Sequence, residues 1–195
     1  MLSILTSASL LALVASTTAL PSTSNLRYAK RQAGGPGVDS FCTLTSEPSV
    51  QDVSNALGTW LNDVENVNNF LNIVGGITDP NEISGLAQGA LDNALDEPLE
   101  LNVLSCIPAL GQNAAIDSAA GGFMTNVLMP LMDVVVNGAN PDQVAADLLQ
   151  INTFRCCTLL PDLDSLWEAA AADEGLVGSV DITVPRPDAC AVTSC

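Results

Sequence analysis

The chain has 195 residues, with 22 acidic side chains against five basic ones, a net charge of −17 and no histidine. That charge excludes nucleic acid and anionic membranes as partners. The missing imidazole removes the base of serine–histidine–aspartate and cysteine–histidine catalysis, of histidine-based ribonuclease action, and the ligand of histidine-bound metals.

In chain order, Met1 to about Ala19 carries the apolar run Leu10-Leu11-Ala12-Leu13-Val14-Ala15 followed by small residues, Thr17 and Ala19 among them. This pattern predicts a signal peptide over residues 1–19, because the run is shorter than the roughly 20 residues a bilayer span needs. Residues 20–31 form a polar segment closed by Lys30-Arg31, which predicts a propeptide removed at a dibasic processing site. The mature protein is then expected to begin at Gln32 and to comprise a single helical domain, 32–195. No anchor-attachment tail or downstream span is read from the sequence, so the product is expected to be secreted, extracellular and not membrane-anchored. All acidic residues lie beyond Arg31, so processing makes the chain still more acidic. Protonation below about pH 5 would relieve the resulting self-repulsion.

Ser49-Val50-Gln51-Asp52 predicts a capped helix start, and Val50, Val53, Leu57, Trp60, Val64, Val67, Leu71 and Val74 mark one apolar stripe, stopped by Gly75-Gly76. Asp79-Pro80-Asn81-Glu82 opens a second helix that should end before Pro98, and Leu99 to Ile107 reads as a separate short helix. From about Asn113 to Val136 a long helix carries Gly121-Gly122 and Pro130, which should bend or interrupt it. Asn140-Pro141 starts the next, with Val144, Leu148, Ile151 and Phe154 inside, and Leu160-Pro161-Asp162 restarts a last helix ended by Gly175. From about residue 176 the chain reads as an extended tail, with Val180 to Val184 alternating as a short strand would. The fold class expected is all-α: a disulfide-stapled bundle of about five to six helices with an extended C-terminal tail.

Cys42, Cys106, Cys156, Cys157, Cys190 and Cys195 are even in number in a chain bound for an oxidising compartment, so disulfides are expected. Neighbours on a helix point about 100° apart, so Cys156 and Cys157 should serve different partners. Cys42 and Cys106 are expected to bond the doublet in one order or the other, leaving Cys190 to Cys195. The alternative is a tail cysteine reaching the doublet and locking the tail across the bundle.

No catalytic, cofactor-binding or metal-binding residue is assigned. Acidic clusters at Asp162, Asp164 and Glu168 and at Asp96, Glu97 and Glu100 could each supply an acid and a base to a carboxylate hydrolase, but negative charge at a helix N-terminus explains each better. The sequence holds no Cys-x-x-Cys, no calcium-loop pattern and no glycosylation sequon, and no cofactor is expected. Arg155 reads as a cation at a helix C-terminus. Phe123, Met124, Val127, Met129 and Met132, beside Gly121-Gly122 and Pro130, mark an apolar-ligand region where a bundle could repack around a guest.

The signal peptide, Lys30-Arg31, the six cysteines and the absence of anchor or sequon together resemble the layout of fungal small secreted cysteine-containing proteins. That resemblance implies a non-enzymatic extracellular interaction or binding protein, surface-associated or host-interacting. The first alternative is a carrier of a small apolar ligand such as a lipid or sterol, and the second a carboxylate-based hydrolase. Partners would be an apolar small molecule or an extracellular protein surface.

Overall fold

The computed structural model describes residues 41–195 apart from Gln112, so the expected signal peptide, the expected propeptide and the proposed processing site at Lys30-Arg31 lie outside the described residues. Helix α1 (Val50–Ile73) is closed by a 3-10 turn (Val74–Gly76), and α2 (Pro80–Ser105) follows. α3 (Ala114–Phe123) runs through a π-turn (Met124–Leu128) into α4 (Met129–Asn137), and α5 (Pro141–Phe154) runs through a second π-turn (Arg155–Leu159) into α6 (Leu160–Asp173). The described residues thus form four continuous helical rods, fewer than the five to six helices expected.

The prolines explain the difference. Pro98 lies inside α2 without ending it. Pro130 and Pro161 each sit two residues beyond a π-turn, where Met129 N–H bonds Met124 O and Leu160 N–H bonds Arg155 O. A proline ring clashes with the carbonyl four residues back and offers that carbonyl no donor. Widening the preceding turn to an i→i+5 pattern shifts the carbonyl and keeps the rod continuous. Gln150 Nε2, at 3.1 Å, donates to Thr125 O, the carbonyl five residues before Pro130.

The helix starts are those the sequence announces. Ser49 and Asp52 exchange reciprocal bonds, Asp52 N–H to Ser49 Oγ at 3.2 Å and Ser49 N–H to Asp52 Oδ2 at 2.9 Å. Asp79, Asn113 and Asn140 accept backbone N–H groups at the starts of α2, α3 and α5. The α1 stripe is buried from Val53 to Val74, whereas Val50 is exposed. Gly175, at φ +66°, ends α6: its N–H bonds Ala172 O, and Leu176 N–H bonds Ala171 O at 2.7 Å.

The rod over Ala114–Asn137 is long and apolar enough to cross a bilayer, which the sequence reading did not anticipate. It is also the element that carries Ile116, Phe123, Val127, Leu131 and Val134 into the core. Its end approaches α2 closely at Gly138, where a Cβ would stand 2.6 Å from Ser84 Oγ and 2.9 Å from Pro80 O. Backbone cannot move aside as a rotamer can, so Gly138→Ala is expected to destabilise the fold by about 1–3 kcal/mol. A lower urea midpoint with an unchanged slope would show it, and an unchanged midpoint would contradict it.

All described cysteines are bonded, but not as expected: Cys42 pairs with Cys106, Cys156 with Cys190 and Cys157 with Cys195. The members of the doublet do serve different partners. The first pair follows from helix length, since α1 has 24 residues and α2 has 26, so a hairpin of the two returns Cys106 to the segment that precedes α1. Thr43 N–H and Oγ1–H, at 2.8 and 3.1 Å from Asn102 Oδ1, hold the same junction. The doublet is then free for the tail, which it locks across the bundle.

Among the described residues there is no β-strand, only an isolated bridge between Val177 and Val180, so the alternation over Val180–Val184 does not produce one. A strand needs a neighbouring ladder. The tail instead gives polar groups to side chains of the bundle: Pro185 O accepts from Asn68 Nδ2 at 2.9 Å, and Asp188 N–H donates to Asn72 Oδ1 at 2.8 Å. Arg186 pairs with Asp164 on α6.

Candidate functional site

Two features stand out, one inside the bundle and one on its surface. Inside, Trp60, Val64 and Asn68 recur every four residues along one face of α1 and meet Glu97 of α2 and Arg155 of the second π-turn. Arg155 Nη1 lies 3.3 Å from Glu97 Oε1, and Trp60 Nε1–H donates to Glu97 Oε2 at 3.1 Å. Arg155 Nη2 donates to Asn68 Oδ1 at 3.0 Å and to Val64 O at 3.4 Å, while Asn68 reaches onward to the tail. One hydrogen-bonded chain therefore ties α1, α2, the π-turn and the tail. The rings of Trp60 and Trp167 pack beside it, with centroids 5.9 Å apart and planes at 60°.

Glu97 is 1% exposed and Arg155 fully buried. Burial pushes the Glu97 carboxyl up, opposed by the Arg155 charge and the Trp60 N–H; burial likewise pushes the guanidinium down, opposed by Glu97. Arginine stays protonated in such a site, so the pair is a buried ion pair, hydrogen-bonded through Arg155 Nη1 and Nη2 while Nε is buried without a partner. Arg155 does not end a helix, as the sequence suggested, because the π-turn carries the helix past it. No solvent reaches the pair, and its chemistry is that of a clamp.

The carboxylates that a hydrolase could have used are dispersed. Glu97 is committed to Arg155, Glu100 is buried, and Asp96 is exposed. On α6, Asp164 binds Arg186 and Glu168 faces solvent.

The expected apolar-ligand residues also separate. Phe123 and Val127 fill the core, Met124 is half-buried, and Met129 and Met132 point outwards at 57% and 50% exposure. These five residues do not line one cavity, because the rod turns them onto opposite faces. With Val136, 79% exposed, the two methionines form an apolar stripe at i, i+3 and i+7 along α4, and Leu149 is exposed on the neighbouring α5. A groove of about 290 Å³ lies elsewhere, between the segment Leu44–Pro48 and Val103, with Glu47 and Asp52 in its wall.

The surface charge is one-signed. The described residues contain two cations, Arg155 and Arg186, and both are in ion pairs. Sequence reasoning missed Asn68 and Asp63 as interior polar residues; their one signal was a polar residue close to an otherwise apolar stripe. No family model, curated protein or solved structure matches this chain.

Proposed function

We propose that this chain is a secreted, non-enzymatic extracellular binding protein that presents the outer stripe of α4 to a protein surface with an apolar centre and a cationic rim. The observation that carries this reading is the exposure of Met129, Met132 and Val136 together on one helix face, next to residues of the same helix that are fully packed. Methionine side chains suit such a role, being flexible and polarizable enough to fit an irregular partner. The cationic rim is argued from charge: with both described cations engaged, the rest of the described surface offers carboxylates alone. Three disulfides and no free cysteine among the described residues are compatible with an oxidising, extracellular setting.

A photo-reactive residue at position 132, on full-length secreted protein mixed with the extracellular proteins that accompany it, tests the face. One saturable protein adduct is expected, competed by unlabelled protein and weakened by salt, with none from the same label at the exposed Asn62 on α1. Met132→Asp is expected to lose the competition while keeping the melting midpoint, because the side chain is half in solvent. Equal labelling from positions 62 and 132, or full competition by the aspartate variant, would contradict the proposal. A lipid adduct would favour the carrier alternative.

A further inference from the structure

One helical turn along α1 from Trp60, and one along α2 from Glu97 in the opposite direction of the antiparallel hairpin, the α1–α2 interface holds two more acids. Asp63 and Glu100 are 5% and 8% exposed, and Asp63 Oδ2 and Glu100 Oε2 are buried without a hydrogen-bond partner. Glu97 makes a third buried carboxyl on the same interface, and the one buried cation among the described residues, Arg155, is bonded to Glu97. The charges acting on Asp63 and Glu100 are all negative: Glu97 and Asp96 act on both, and Asp63 acts on Glu100.

The surrounding elements bring no relief. α6 and the tail, packed on α1, carry Asp162, Asp164, Glu168, Asp173, Asp181 and Asp188 with Arg186 already on Asp164; α3 and α4, packed on α2, carry Asp117 and Asp133. With no counter-charge, and with Asp63 Oδ2 and Glu100 Oε2 lacking a donor, ionisation of these carboxyls is unfavourable; a bond from its own backbone N–H offsets this only in part at Glu100, and the neutral acid is the favoured form.

We propose that the α1–α2 interface is a proton latch, closed while the buried Asp63 and Glu100 carry protons and loosened when they lose them. Burial, reinforced by the neighbouring acids, raises each group to about 7. In the unfolded chain these groups release protons near their ordinary values, 3.8 for aspartate and 4.5 for glutamate. The fold therefore binds more protons than the unfolded chain between about pH 4 and 7, and stability falls as pH rises through that window. This is opposite to the usual paired carboxylate. A second buried carboxyl points the same way: Asp147 on α5 is raised by burial, opposed by the Gln143 amide that donates to it, and raised further by the nearby Asp133 on α4.

The test is the melting midpoint of the full secreted chain, disulfides intact, at pH 5 and pH 8. A fall of roughly 10 °C is expected for the natural sequence. Asp63→Asn with Glu100→Gln should flatten the slope and keep the midpoint high at pH 8, because the amides mimic the protonated acids. Glu65→Gln with Glu168→Gln removes the same charge from exposed sites and should leave the slope in place. A natural midpoint equal or higher at pH 8 would overturn the latch. So would a slope flattened equally by the exposed control pair, since general charge repulsion would then be its cause.

Discussion

Arg155→Met is expected to destabilise the protein by about 3–5 kcal/mol, the range for stripping one partner from a buried ion pair. Methionine fills much of the same volume, so the loss comes from charge and hydrogen bonding. Glu97 would be left 1% exposed with only Trp60 Nε1–H as donor, and Asn68 Oδ1 and Val64 O would lose theirs. Adding Glu97→Leu removes the stranded carboxyl, and the double variant should recover much of the stability, since apolar replacement of a whole buried pair is often neutral or better. Urea unfolding of the two single and one double variants gives the coupling directly. A methionine variant within about 1 kcal/mol of the natural protein would show that the clamp is not holding the four elements together.

The tail disulfides should behave as a non-additive pair. Cys156–Cys190 and Cys157–Cys195 close loops of 34 and 38 residues from adjacent positions to the same tail. With one in place, the other closes only a short ring through the doublet and the last tail residues. The chain-entropy model then gives a cost of about 2 kcal/mol for losing either alone, and about 6 kcal/mol for losing both. Serine at both cysteines of each bridge, singly and together, is the comparison. Losing both also frees Pro185 and Asp188 from Asn68 and Asn72, so the Arg155 network should loosen with the tail. Single losses that sum to the double would contradict the shared-anchor arrangement.

Much of the helical layout was legible because it is written in local chemistry. The Ser49 and Asp52 box, the Asx-Pro starts and the Gly175 stop depend on residues within a turn of one another, and α1 announces its buried face by an unbroken stripe. The misplaced breaks came from prolines. Their local penalty is real, but packing along α2 overrides it at Pro98, and a π-turn, which leaves no mark in composition, absorbs Pro130 and Pro161. The cysteine pairing failed for the same reason, since dividing α2 at Pro98 concealed that α1 and α2 match in length.

The site was less legible than the fold. Arg155 and Glu97 stand 58 positions apart, and no periodicity connects them. Along the first π-turn and α4, Val127, Leu131 and Val134 pack inwards while Met129, Met132 and Val136 face outwards. A helix apolar on two faces does not declare which one is covered, so its sequence alone groups the methionines with the interior residues.

Mass spectrometry of the protein taken natively and unreduced from culture medium tests the central claim, a processed, disulfide-locked secreted binding protein that carries no internal cargo. The expected species runs from Gln32 to Cys195, free of small-molecule adducts, with unreduced peptides joining Cys42 to Cys106, Cys156 to Cys190 and Cys157 to Cys195. A retained leader sequence, a stoichiometric lipid, or a linkage between Cys190 and Cys195 would contradict it.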